Sequence, residues 1–152
     1  MNRLPLYLLY FFLTVVLCAL SFRESLLNAP QQTSPNRSAG DVQRGKYLVE
    51  EVAKCAECHT PRDTSGNLKS NSWLQGAPIW IQPVAPIQNW DDQAPALAGL
   101  PSFTDGQMER VLETGVGPQG ETLRPPMHTY HMHQDDARAI IAYLKTLTPE
   151  QR

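Results

Sequence analysis

The sequence predicts an all-α fold, a small domain of about three to five helices wrapped around a bound apolar cofactor, with an N-terminal apolar helix and a linker ahead of it. Three observations point there. Apolar residues recur at helical spacing at both ends of the region from Gly40 onward. Thirteen prolines and nine glycines in 152 residues imply many irregular connections rather than a large sheet. Part of the 41% hydrophobic content sits in one block at the start, so the rest is lean in apolar residues and suits a core completed by a cofactor.

Cys55-Ala56-Glu57-Cys58-His59 names that cofactor. A Cys-x-x-Cys-His run is the attachment signature of a c-type haem, in which two thiols add to the porphyrin vinyl groups and the next residue offers an imidazole to the iron. Two intervening residues let both sulfurs reach one edge of a flat macrocycle while the histidine turns beneath its face. Cys-x-x-Cys alone also fits a redox disulfide, or half a zinc site completed by His128, His131 and His133. Neither alternative requires a histidine directly after the second cysteine, and zinc usually wants a second paired spacing. Cys18 lies far from the pair, so the three cysteines give no disulfide framework.

Arg3 precedes Leu4 to Leu20, a run of seventeen uncharged residues interrupted only by Pro5 and Thr14. With Ser21 and Phe22 it approaches the ~20 residues that cross a bilayer. Residues 1–22 therefore read as a signal peptide, cut after Ala19-Leu20-Ser21, or as an uncleaved anchor with Arg3 inside. Leu17 before Cys18 does not match a lipobox, so Cys18 reads as a small apolar residue. Residues 23–39, rich in Asn, Pro, Gln, Thr and Ser without periodicity, read as a flexible linker, and 40–152 as the folded domain.

Within the domain, Asp41 is expected to cap a helix whose buried face carries Val42, Leu48, Val49 and Val52, with Gly45 marking close approach by another element. Asp63 to Asn67 reads as a turn, and Ala77 to Pro83 as extended chain. Trp73, Trp80 and Trp90 fall in this middle region, where core packing is the ordinary use of tryptophan. Thr104 and Gln107 form a capping box ahead of Met108, Val111 and Leu112, and Gly115 ends that helix. Asp135 and Asp136 open a last helix with an apolar stripe of Ala137, Ile140, Ile141, Leu144 and Leu147, flanked by Tyr143.

Gly45 early in a first helix, the Cys55 to His59 motif at its end, Pro125-Pro126-Met127 and a final helix with Tyr143 together resemble the class I monohaem c-type cytochrome family. The resemblance covers about Gly40 to Leu147. It implies one covalent haem c on Cys55 and Cys58, with His59 and Met127 as the two axial ligands. It also implies that Gly45 packs against Tyr143, that the Pro61 carbonyl accepts a hydrogen bond from His59, and that a tryptophan donates to a haem propionate. A methionine opposite histidine makes a six-coordinate, low-spin iron at raised potential. The family often has proline after this methionine, where His128 stands here, and His131 and Met132 are further rivals for the sixth position. Met127, His128, His131, Met132 and His133 together also fit a copper site. Arg124 is a candidate neighbour of a propionate.

From Gly40 onward ten Lys and Arg stand against fourteen Asp and Glu, a net charge of −4, which argues against nucleic acid as a partner and favours docking on a basic protein surface. The family implies single-electron transfer, without catalysis, between redox proteins on the periplasmic side of the inner membrane. A membrane-linked dehydrogenase or respiratory complex is the natural donor. A haem sensor or peroxidase with a labile sixth ligand and a zinc or copper module are the alternatives.

Overall fold

The computed structural model describes residues 35–149, together with Thr14. The expected signal or anchor and most of the expected linker lie outside the described residues, among which no helix is long and apolar enough to cross a membrane. Ser34–Arg152 forms one compact unit.

Helix α1 spans Pro35–Tyr47 and runs on into a π-helical turn, Leu48–Val52. It starts ahead of Asp41, which lies within the helix instead of capping it. Proline suits a first helical position, because its missing N–H is one that no helical carbonyl would reach. Residues 35–39 of the expected linker are therefore helical. Leu48 and Val49 are buried as the periodicity predicts, but Val52 is 54% exposed. The π turn is the reason: Ala53 N–H bonds the Leu48 carbonyl at 2.7 Å, and Cys55 N–H reaches back to Val49 at 3.0 Å. The extra residue per turn rotates the buried face past Val52. Lys54, at φ 52°, then breaks the helix in a left-handed conformation.

Short helix α2, Ala56–His59, holds the motif. The Asp63 turn forms as expected, its Oδ1 accepting from Ser65 N–H at 2.8 Å and Asn67 N–H at 3.0 Å. A 3₁₀ turn, Ser70–Ser72, follows. Of the stretch expected to be extended, Ala77–Pro78 forms strand β1, paired antiparallel with β2, Gln93–Ala94, with Ala77 opposite Ala94.

Helix α3, Asp105–Thr114, carries the expected capping box: Thr104 Oγ1 accepts from Gln107 N–H, and Gln107 Oε1 accepts from Thr104 N–H at 2.9 Å. Gly115 closes it at φ 71°. Met108, Val111 and Leu112 are buried. Helix α4, Gln134–Thr146, buries Ala137, Ile140, Ile141, Tyr143 and Leu144. Its cap is His133, whose Nδ1 accepts from Asp135 N–H at 3.3 Å.

Helices α1 and α4 pack on each other at Gly45. A Cβ there would fall inside the Ala139 carbonyl and 2.8 Å from Tyr143 Cβ, so only glycine permits the contact. Tyr143 then donates its hydroxyl to Glu50 Oε1 at 2.5 Å, bonding the two ends of the domain.

Candidate functional site

His59 is only 7% exposed, held at the end of α2 with its own carbonyl accepting from Gly76 N–H at 2.8 Å. Its Nδ1 lies 2.8 Å from the Pro95 carbonyl. A carbonyl only accepts, so Nδ1 carries the hydrogen and Nε2 keeps a lone pair. Burial lowers the imidazole pKa below its usual value, against the raising effect of Pro95, which favours the neutral, ligating form. Thr60, next in the chain, is 1% exposed and accepts from Leu74 N–H at 2.9 Å, fixing the chain beyond the histidine.

The expected bond from His59 to Pro61 is not made. Pro61 instead accepts from Lys69 N–H at 2.9 Å, within the hairpin around Asp63. The β1–β2 pairing brings Pro95 to the histidine, and a separation of 36 positions gives no local signal of it.

Cys55, Cys58 and His59 line a cavity of about 420 Å³. Phe103, Met108, Leu112, Leu123, Ile140 and Leu144 give it apolar walls, and Met127, His128 and Tyr130 line it as well. No disulfide joins the two cysteines. Burial pushes the Cys55 thiol up to about 11 and raises that of Cys58, so both remain protonated at neutral pH. The volume lies within the range of cofactor pockets, ~300–1,000 Å³. Apolar walls, two thiols and a histidine with a free lone pair fit a haem held by thioethers.

Met127 and His128 both line the cavity, so the first rival for the sixth position stays beside the expected ligand. His131 and His133 are exposed, and Met132 packs against the core. Among the described residues no three His, Cys, Asp or Glu side chains are grouped to hold a metal ion, which leaves the zinc module without its ligand set.

The three tryptophans separate. Trp80 donates to the Glu57 carbonyl at 3.0 Å beneath the Arg62 guanidinium, 4.6 Å from the ring centre. Trp73 packs against the core beside Tyr143. Trp90 has a buried indole N–H with no partner, next in sequence to Asp91, which pairs with Arg124 at 3.3 Å; Asp91 and Arg124 both line the cavity.

Tyr130 and Pro95 are among the site residues that sequence reasoning missed, with Phe103 and Asp91. Tyr130 donates to the Ala53 carbonyl at 3.0 Å, and burial pushes its hydroxyl pKa up to about 12. An aromatic residue three positions beyond Met127 was the signal available.

A helical domain that encloses an apolar cavity behind Cys-x-x-Cys-His, with a neutral histidine on its wall, defines a covalent haem protein. Residues 42–148 match the family described as cytochrome c, and the chain belongs to that family, whose haem c is covalently bound. It is similar to the fructose dehydrogenase cytochrome subunit of Gluconobacter japonicus, 32% identical over 114 residues, which are 70% of this chain and 22% of that protein. It is also similar to a diheme cytochrome c-type of Cereibacter sphaeroides, 31% identical over 70% of this chain and 36% of the relative. The alcohol dehydrogenase (quinone) cytochrome c subunit of Gluconacetobacter polyoxogenes is 31% identical over 72% of the chain and 25% of its own length. The chain thus spans about a quarter to a third of the length of these relatives.

Proposed function

We propose that this chain carries single electrons outside the cytoplasm, accepting them from a membrane-linked dehydrogenase or respiratory complex and passing them to an acceptor protein, with one haem c. The observation that carries this reading is His59: its Nδ1 is held by Pro95, and the cavity it lines is also lined by Met127. The bound haem supplies a one-electron iron couple. Cys55 and Cys58 would hold its edge, and His59 Nε2 and the Met127 thioether would be the two protein ligands to its iron. A single Cys-x-x-Cys-His in the sequence supports a count of one haem.

With both ligands in place the iron would keep no site for oxygen or peroxide, and electron exchange would require little rearrangement. Trp90, with an unpartnered indole N–H next in sequence to the cavity residue Asp91, is the tryptophan that would donate to a propionate, since Trp80 is already bonded to Glu57. Relatives named as cytochrome subunits of fructose and alcohol dehydrogenases support a dehydrogenase as donor. Residues 1–22, as a signal or anchor, and 23–39, in most part as a tether, would deliver the domain of 40–152 to the periplasmic face of the membrane.

The test is the visible spectrum of protein exported by cells with cytochrome c maturation machinery. Covalent low-spin haem with the weak red charge-transfer band of thioether–iron is expected. Absence of that band, with a low potential typical of two histidines, would assign the sixth position to His128 or His131. A high-spin iron that binds carbon monoxide would instead indicate a sensor or peroxidase.

A further inference from the structure

We propose that Tyr130 is a positioning residue that holds the Met127 loop against the haem-attachment segment and so sets how tightly the sixth ligand stays on the iron. The inference rests on the reading of Met127 as that ligand.

The loop after α3 approaches the cavity through Pro125-Pro126-Met127 and leaves it at His133. Before Met127 it is fastened to Asp91 twice, where Asp91 N–H bonds the Pro125 carbonyl at 2.8 Å and the Asp91 carboxylate pairs with Arg124 at 3.3 Å. After Met127, the hydroxyl of Tyr130 donates to the Ala53 carbonyl at 3.0 Å, across 77 residues of sequence. Ala53 lies two residues before Cys55, so this bond joins the loop that would carry the sixth ligand to the segment that would carry the thioethers. Ala53 and Tyr130 both line the cavity, so the bond closes part of its wall. The half-buried Tyr130 ring packs against the core, while the His128 ring lies tilted against it, 4.2 Å between ring centres and 54° between planes. Next along, Met132 N–H bonds the Leu112 carbonyl at 3.1 Å, and His131 between them has φ 55°.

Without the Tyr130 bond, the chain from Met127 to His131 keeps no other hydrogen bond to the attachment side among those of the described residues. A thioether is a weak ligand that the protein must hold in place, so freedom in this loop appears directly as exchange at the iron. A methionine on a loosened loop gives way to added ligand more often, by the factor that one hydrogen bond is worth, about three- to tenfold.

The test uses the holoprotein and imidazole as probe. Tyr130→Phe keeps the ring and removes only the hydroxyl. Tyr143→Phe is the matched control: it removes a hydroxyl bonded to Glu50 on the α1–α4 contact, away from the cavity lining. Tyr130→Phe should retain covalent haem and its red thioether–iron band, and bind imidazole to the oxidised iron about three- to tenfold faster than the parent. Tyr143→Phe should lower stability yet leave that rate unchanged. Equal rates for Tyr130→Phe and the parent would overturn the inference, as would an equal increase in both variants, which marks general loosening. A parent protein without the thioether–iron band contradicts the ligand reading itself and takes this inference with it.

Discussion

Thr60 and Met127 show how differently single residues at the site work. Thr60 Oγ1 is the acceptor for the Leu74 N–H, in a position where water does not reach. Thr60→Val keeps the shape and strands that donor, so chemical denaturation should report a loss of about 1–3 kcal/mol. Met127 lies in a loop fastened on both sides, and Met127→Ala should leave haem attached while converting the oxidised iron to high spin or recruiting His128. An oxidised spectrum identical to the parent's would remove Met127 from the iron. That His59 and the two cysteines line one cavity was legible from their spacing. Pro95 and Thr60 were not, because a backbone carbonyl has no residue signature and Thr60 matters only for what it meets fourteen positions away.

At the scale of elements, α1 and α4 depend on one missing side chain. Gly45→Ala drives a methyl into the Ala139 backbone, which cannot rotate away as a side chain could. The helices must separate, at a cost of about 1–3 kcal/mol or more, readable as a lower denaturant midpoint. Both helices were legible from periodicity and the Thr104 capping box from its two residues, but the start of α1 was not, since Asp41 lies inside the helix. Nor was the π turn: Leu48 to Val52 has an ordinary amphipathic pattern, and no residue in it marks the wider turn. Lys54 is its sequel, a non-glycine residue at φ 52° immediately before the motif. Lys54→Gly should be neutral to mildly stabilising, since relief of left-handed strain offsets the added freedom of the unfolded chain. A marked loss of stability in thermal denaturation would mean that the Lys54 ammonium beside Glu51 contributes more than an exposed pair ordinarily does.

For the whole molecule, two buried phenols set an alkaline limit. Tyr130 and Tyr143 are each raised to about 12 from an ordinary value of 10.0, chiefly by burial and, at Tyr143, also by Glu50. The folded state holds these protons more tightly than the unfolded chain does. Their contribution to stability is therefore complete below pH 10 and is lost as pH rises through about 12. Denaturation followed by far-ultraviolet circular dichroism should show stability falling across that window, and replacing both tyrosines by phenylalanine should flatten the fall. The all-α class was legible at this scale because so few residues pair as strands. The closing of the cavity by chain distant in sequence, at Pro95 and Tyr130, was not, since it depends on where loops cross.

The most direct test of the carrier reading is a spectroscopic redox titration of the holoprotein in both directions, with carbon monoxide added at the reduced end. A six-coordinate carrier gives one reversible one-electron transition, low-spin spectra at both ends and no response to carbon monoxide. A reduced form that turns high-spin and binds carbon monoxide would contradict it, because the sixth position would then be open for ligand chemistry.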